Sequence, residues 1–206
     1  MNQAVEKFGR MVDNQLPDHP KTARNLLTTA YRLNGWAGKH LFKKTTPARL
    51  ALADVCNNAI LQPFDHPQQS AMVSLFTPCE LLQMFGLAPM FPEALACYIS
   101  GAGAERGFIE AAEASGIPET FCSYHKILLG TAQTGILPKP RFIFNTTLAC
   151  DANTLTFRRL AEFYGVPHLV LDIPQTQDEA AVTYVAEQLK DCARSISRLL
   201  HRYISD

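Results

Sequence analysis

Residues 141–154, RFIFNTTLACDANT, pass from an apolar run through two threonines and a Cys-Asp pair into a helical pattern. A short apolar run that ends in small polar residues before a helix is how a strand of a parallel sheet hands over to its crossover helix. The same texture recurs on both sides of this stretch. AMVSLF (71–76) leads into helical PCELLQMFG (78–86), APMF (88–91) begins another strand, and HLVLDI (168–173) a further one. The pattern predicts an α/β fold: a Rossmann-like or flavodoxin-like parallel sheet of about four strands with helices on both faces.

The remaining segments read as helices. GFIEAAEAS (107–115) and CSYHKILLGTAQTG (122–135) lie between the second and third strands, the latter closing at Gly135 before Pro138 and Pro140. From Asp178 to about Tyr203, the residues Val182, Val185, Ala186, Leu189, Ala193, Ile196 and Leu200 recur at three and four, which predicts a long amphipathic helix. Residues 1–60 are helical in pattern. Leu26, Leu27, Ala30, Leu33 and Ala37 share one face, and Thr46 followed by Pro47 reads as a cap. QPFDHPQQS (62–70) reads as a connection. The expected organisation is an N-terminal helical layer over 1–66, packed on an α/β domain over 67–206.

Composition narrows the function. Lys plus Arg total 19 and Asp plus Glu total 19, so there is no basic field for nucleic acid or for a membrane surface. No apolar run is long enough to span a bilayer, and the first residues lack the order of a secretory signal, so the expected location is cytoplasmic. Six cysteines are too sparse for a disulfide scaffold, and none forms a CxxC pair. GAGAERG (101–107) misses the dinucleotide fingerprint by one residue. Without a P-loop or a nucleophile elbow, an intrinsic ATPase or a serine hydrolase is disfavoured.

Three stretches are expected at the carboxyl edge of the sheet: FTPCE, FCSYH and TTLACDANT. Their cysteines, Cys79, Cys122 and Cys150, fall at helix starts, where the positive end of a helix favours an anionic sulfur suited to iron. The competing reading is that each is a small buried hydrophobe, as expected for Cys56, Cys97 and Cys192 inside helical patterns. Glu80 opens a helix, either complementing its dipole or serving as a base in the crevice. His125 reads as a surface histidine or a ligand beside Cys122, Asp151 as a helix cap, and Asp172 as turn chemistry before a proline.

The ordered set TPCELLQMFGLAPM, GIPETFCSYHKILLGTAQTG, PRFIFNTTLACDANTLTFRRLAEFYGVPHLVLDIP and EAAVTYVAEQLKDCARSI resembles the D-component family of 2-hydroxyacyl-CoA dehydratases, which includes benzoyl-CoA reductase subunits. The resemblance covers roughly residues 70–200. It implies a 4Fe-4S cluster ligated by Cys122 and Cys150, an acyl-CoA substrate, a related second subunit and an ATP-dependent activator protein that injects one electron. The implied reaction is radical (ketyl) dehydration of a 2-hydroxyacyl-CoA. The alternatives are reduction of an aromatic acyl-CoA, or a non-catalytic acyl-CoA binding or assembly module. Family members carry a second α/β domain that supplies a third cysteine. That domain is expected to be absent from a chain ending at Asp206, as in a fragment or a short relative, with Cys79 the candidate for the third place.

Overall fold

The computed structural model describes residues 3–41 and 46–202. Among them, four strands form one all-parallel sheet: β1 (Ser70–Val73), β2 (Ala88–Met90), β3 (Ile143–Thr146) and β4 (His168–Leu171), in the order β2-β1-β3-β4. Each overlaps a run read as a strand from the sequence, β1 starting one residue earlier, at Ser70, which was read as connection. Of the two parallel folds expected, this order is the flavodoxin-like one.

The helices are α1 (Gln3–Gln15), α2 (Pro20–His40), α3 (Pro47–Asp65), α4 (Glu80–Met84), α5 (Pro92–Gly101), α6 (Arg106–Ala114), α7 (Ser123–Gln133), α8 (Asp151–Tyr164) and α9 (Glu179–Leu200). The chain separates into two compact units. One comprises residues 1–65 and 92–138; the other, 66–91 and 139–206, contains the sheet.

Within the sheet unit, strand alternation sorts side chains to two faces. Ala71, Val73, Phe142, Phe144 and Leu171 join Leu82 and Phe85 of the α4 region and Cys192, Ile196 and Leu200 of α9 in one core. His168, of opposite parity to Leu169 and Leu171, instead feels the charges of Arg158 and Glu162 of α8. Helices thus cover both faces. Full burial of Phe142 and Phe144 contributes roughly 1.5–3 kcal/mol each. Asp178 caps α9, accepting a hydrogen bond from the Ala181 amide at 2.8 Å. The buried stripe of α9 is Ala181, Cys192, Ile196 and Leu200, flanked by Val185 and Leu189; Val182, expected inside, is 69% exposed.

In the helical unit, Arg24 of α2 donates to the Phe64 carbonyl at 3.1 Å, and Tyr98 of α5 donates to the Leu27 carbonyl at 2.9 Å. Gly130 lets α7 approach α6 so closely that a Cβ there would lie 2.0 Å from the Phe108 carbonyl oxygen. Thr46 does cap α3, its hydroxyl accepting from the Arg49 amide at 3.4 Å. The helix then runs through Pro63 to Asp65, over residues read as connection; a proline in the last turn removes only one bond of the ladder.

Candidate functional site

Strand order determines where this fold receives a ligand. β1 leads through α4 to β2 on one side, whereas β3 leads through α8 to β4 on the other. The loops after β1 and β3 therefore diverge at the carboxyl edge and open a crevice between them, the topological switch point of a doubly wound sheet.

A relay of hydroxyls fixes the first loop. Thr77 Oγ1 donates to the Phe144 carbonyl at 3.1 Å, Ser74 Oγ donates to Thr77 Oγ1 at 2.9 Å, and Ser74 Oγ in turn accepts from the Thr146 amide at 3.3 Å. Sequence reading passed over Ser74 and Thr77. Their signal was small polar residues one and four positions beyond an apolar run.

The second loop carries Cys150. Thr147 is held by three bonds: its amide donates to the Leu171 carbonyl at 3.1 Å, its hydroxyl donates to Asp172 Oδ1 at 2.9 Å, and that hydroxyl accepts from the Ile173 amide at 2.8 Å. Tyr184 of α9 donates to the other Asp172 oxygen at 3.2 Å, and this bond, then burial and the carboxylate's charge, raise the tyrosine's pKa. Gln188 brackets the Asp172 backbone, accepting from its amide and donating to its carbonyl, both at 2.9 Å. Asp172 is thus an anchor for both the β3 loop and α9. Between this anchor and α8, Ala149 adopts φ 110°, a strained conformation costing of order 1–3 kcal/mol for a residue with a Cβ. The turn leaves Cys150 extended, exposed and immediately before the first helical residue of α8. Asp151, read as a cap, is instead that first residue.

Cys79 and Glu80 open α4 in the same unit. The Cys79 thiol is half-buried and donates to the Thr77 carbonyl at 3.3 Å. Burial, reinforced by the neighbouring Glu80 charge, pushes its pKa up to about 11. This reverses the expectation that a helix start would favour its thiolate: desolvation outweighs the dipole of a one-turn helix. Glu80 is exposed.

Cys122 belongs to the helical unit, where it is exposed and directly precedes α7. Lys126, 5% exposed, reaches back to the turn before it, donating to the Glu119 carbonyl at 2.9 Å and to Glu113 Oε1 at 2.5 Å. Tyr124 donates to the Glu93 carbonyl at 2.5 Å and lies 3.4 Å from Cys97 Sγ. Burial and that sulfur contact raise the tyrosine's pKa strongly. His125 is not at the surface: it is 5% exposed among Phe121 and Tyr124, and burial lowers its pKa. Cys56 and Cys97, expected in the core, are exposed, whereas Cys192 is buried.

Exposed thiols at Cys122 and Cys150 are of the chemical type that holds an iron–sulfur cluster, which needs several such donors together. Among the described residues, no group of three or more His, Cys, Asp or Glu is arranged to hold a metal ion. The donor type fits and the donor number does not, so these residues alone do not complete a cluster site.

Fold and crevice define a doubly wound α/β protein with a cysteine presented at its topological switch point. A family model described as 2-hydroxyglutaryl-CoA dehydratase, D-component, matches residues 74–206, and the chain belongs to this family. It is also 22% identical over 131 residues to the (R)-phenyllactyl-CoA dehydratase alpha subunit of Clostridium sporogenes, in an alignment covering 59% of this chain and 32% of the relative. The chain thus aligns with about a third of that relative's length. Among the described residues, no helix is long and apolar enough to cross a membrane.

Proposed function

We infer that the chain is part of a 2-hydroxyacyl-CoA dehydratase-type subunit that offers thiols to a 4Fe-4S cluster beside an acyl-CoA thioester. The observation that carries this reading is exposed Cys150 at the switch-point crevice, in a chain of the D-component family. In this reading Cys122 and Cys150 are ligands and residues beyond the described set complete the site. Cys79 is the weaker candidate for the third place, because a metal would first have to displace a proton held with a pKa of about 11. A related second subunit and an ATP-dependent activator protein complete the system.

When bound, the cluster supplies one electron at low potential. The chain's own residues do the positioning. The Thr147–Asp172 anchor and the strained Ala149 turn hold Cys150 outward, and Lys126 holds the turn ahead of Cys122. Glu80, exposed as the first residue of α4 after β1, is the proposed base for the proton lost in the elimination. Over the whole reaction the 2-hydroxyl and a hydrogen from the adjacent carbon leave as water.

Anaerobic reconstitution with iron and sulfide tests the ligands. Cluster absorbance is expected in the wild-type chain with its partner subunit, and to be lost in Cys122→Ala and in Cys150→Ala. Undiminished absorbance in both variants would sink the reading.

A further inference from the structure

The helical unit contains a recess built from residues that play no part in the site above. It lies between α2 and α3, has a volume of about 580 Å³, and its lining includes Asn34, Gly38, Lys39, Arg49, Cys56 and Asn57. That volume falls within the range of small-molecule sites. Its charge is positive: Lys39 pairs with Asp54, but Arg49 makes no ion pair among the described residues.

Two helical glycines in the α2 wall differ in an informative way. At Gly35 a Cβ would lie 2.4 Å from Asn57 Nδ2, the end of a side chain that would have to move. Gly38 has no such neighbour: among the described residues a Cβ would meet nothing within 4 Å. A glycine that weakens its helix without admitting a neighbour among the described residues leaves that wall of the recess open.

We propose that this recess binds a phosphate-bearing small molecule of nucleotide size. The Arg49 guanidinium, whose planar fork matches phosphate oxygens, takes the phosphates with Lys39 beside it. The amides of Asn34 and Asn57 take the remaining polar groups. The assignment is independent of the dehydratase reading, because it uses none of its residues.

Cys56 provides a local reporter, being both exposed and part of the lining. ADP and inorganic pyrophosphate are the probes, followed by calorimetry and by the rate of iodoacetamide modification of Cys56. At least one probe is expected to bind with one-to-one stoichiometry and to slow modification of Cys56. Arg49→Gln should weaken binding about tenfold or more, the usual effect of losing a charge-assisted hydrogen bond. Gly38→Leu should abolish binding while the chain stays folded, since its side chain enters open space and improves the helix. Binding of neither probe, or binding indifferent to both substitutions, overturns the proposal.

Discussion

Thr77 Oγ1 donates to the main-chain carbonyl of Phe144 at 3.1 Å, across 67 residues of sequence. The bond ties the loop after β1 to the middle of β3 at the carboxyl edge of the sheet. Both residues are buried. Thr77→Val keeps the shape but strands the Phe144 carbonyl and the Ser74 hydroxyl, which should cost about 1–3 kcal/mol. Thr77→Ser should recover most of the loss. Equilibrium denaturation of the two variants checks this, and a valine variant as stable as wild type would show that the relay is dispensable.

Gly130→Ala should destabilise the protein by about 3 kcal/mol or more, because the new methyl would overlap the Phe108 backbone at 2.0 Å and main chain cannot rotate away. Helix propensity alone predicts the opposite, a gain of about 1 kcal/mol. Gly38→Ala, with nothing within 4 Å, should show that gain. Thermal or denaturant melts of the pair separate close packing from propensity.

The strands were legible because the strands of a parallel sheet packed under helices require short apolar runs, each handing over to a helical or turn pattern. Their order was not, since nothing in APMF says on which side of β1 it pairs. The cysteines at helix starts were legible from turn chemistry. Their surroundings were not: Cys79 is governed by burial that only tertiary packing creates. His125 is buried by aromatic neighbours, and the strained Ala149 leaves no trace in sequence because alanine is not a residue of left-handed turns. Cys56 was misread because the apolar residues of α3 fall on no single face; Leu52 and Val55 are both exposed.

Lys126 and Glu113 form an ion pair with unequal burial, the side chains being 6% and 29% exposed. The consequences of breaking it should be unequal too. Glu113→Ala leaves a buried ammonium with only the Glu119 carbonyl, at a cost of about 3–5 kcal/mol. Lys126→Met leaves a carboxylate that can turn toward water, and should cost less. A double-mutant cycle by denaturation gives both values; equal losses would contradict the burial argument.

Acid should destabilise the fold through two imidazoles, buried His125 and partly buried His168. His168 donates from Nε2 to Asn145 Oδ1 at 2.6 Å. Burial, with a smaller contribution from Arg158, lowers its pKa below the ordinary 6.5. Burial lowers that of His125 as well. Each histidine then binds a proton more readily unfolded than folded. Stability is complete above about pH 7 and falls as pH drops through 6.5 toward the lower folded values. His168→Gln, which can keep a donor toward Asn145, should flatten the stability profile between about pH 7 and 5. A slope identical to wild type would remove His168 from the account.

Thiol reactivity should follow exposure and charge rather than position at a helix start. Cys79 has its pKa pushed up to about 11, so at pH 8 about one molecule in a thousand carries the thiolate that attacks an alkylating agent. Cys122 and Cys150 are exposed and should be modified by iodoacetamide well before Cys79. Raising the pH from 8 to 10 should speed modification of Cys79 about a hundredfold, as the thiolate fraction rises. Glu80→Gln removes the smaller of the two causes of the shift, the neighbouring charge, and should speed modification at pH 8 while leaving the burial contribution. Peptide mass mapping over time reads all three rates. If Cys79 reacts as fast as Cys150 at pH 8, desolvation does not govern it, and its claim to a ligand position becomes as strong as theirs.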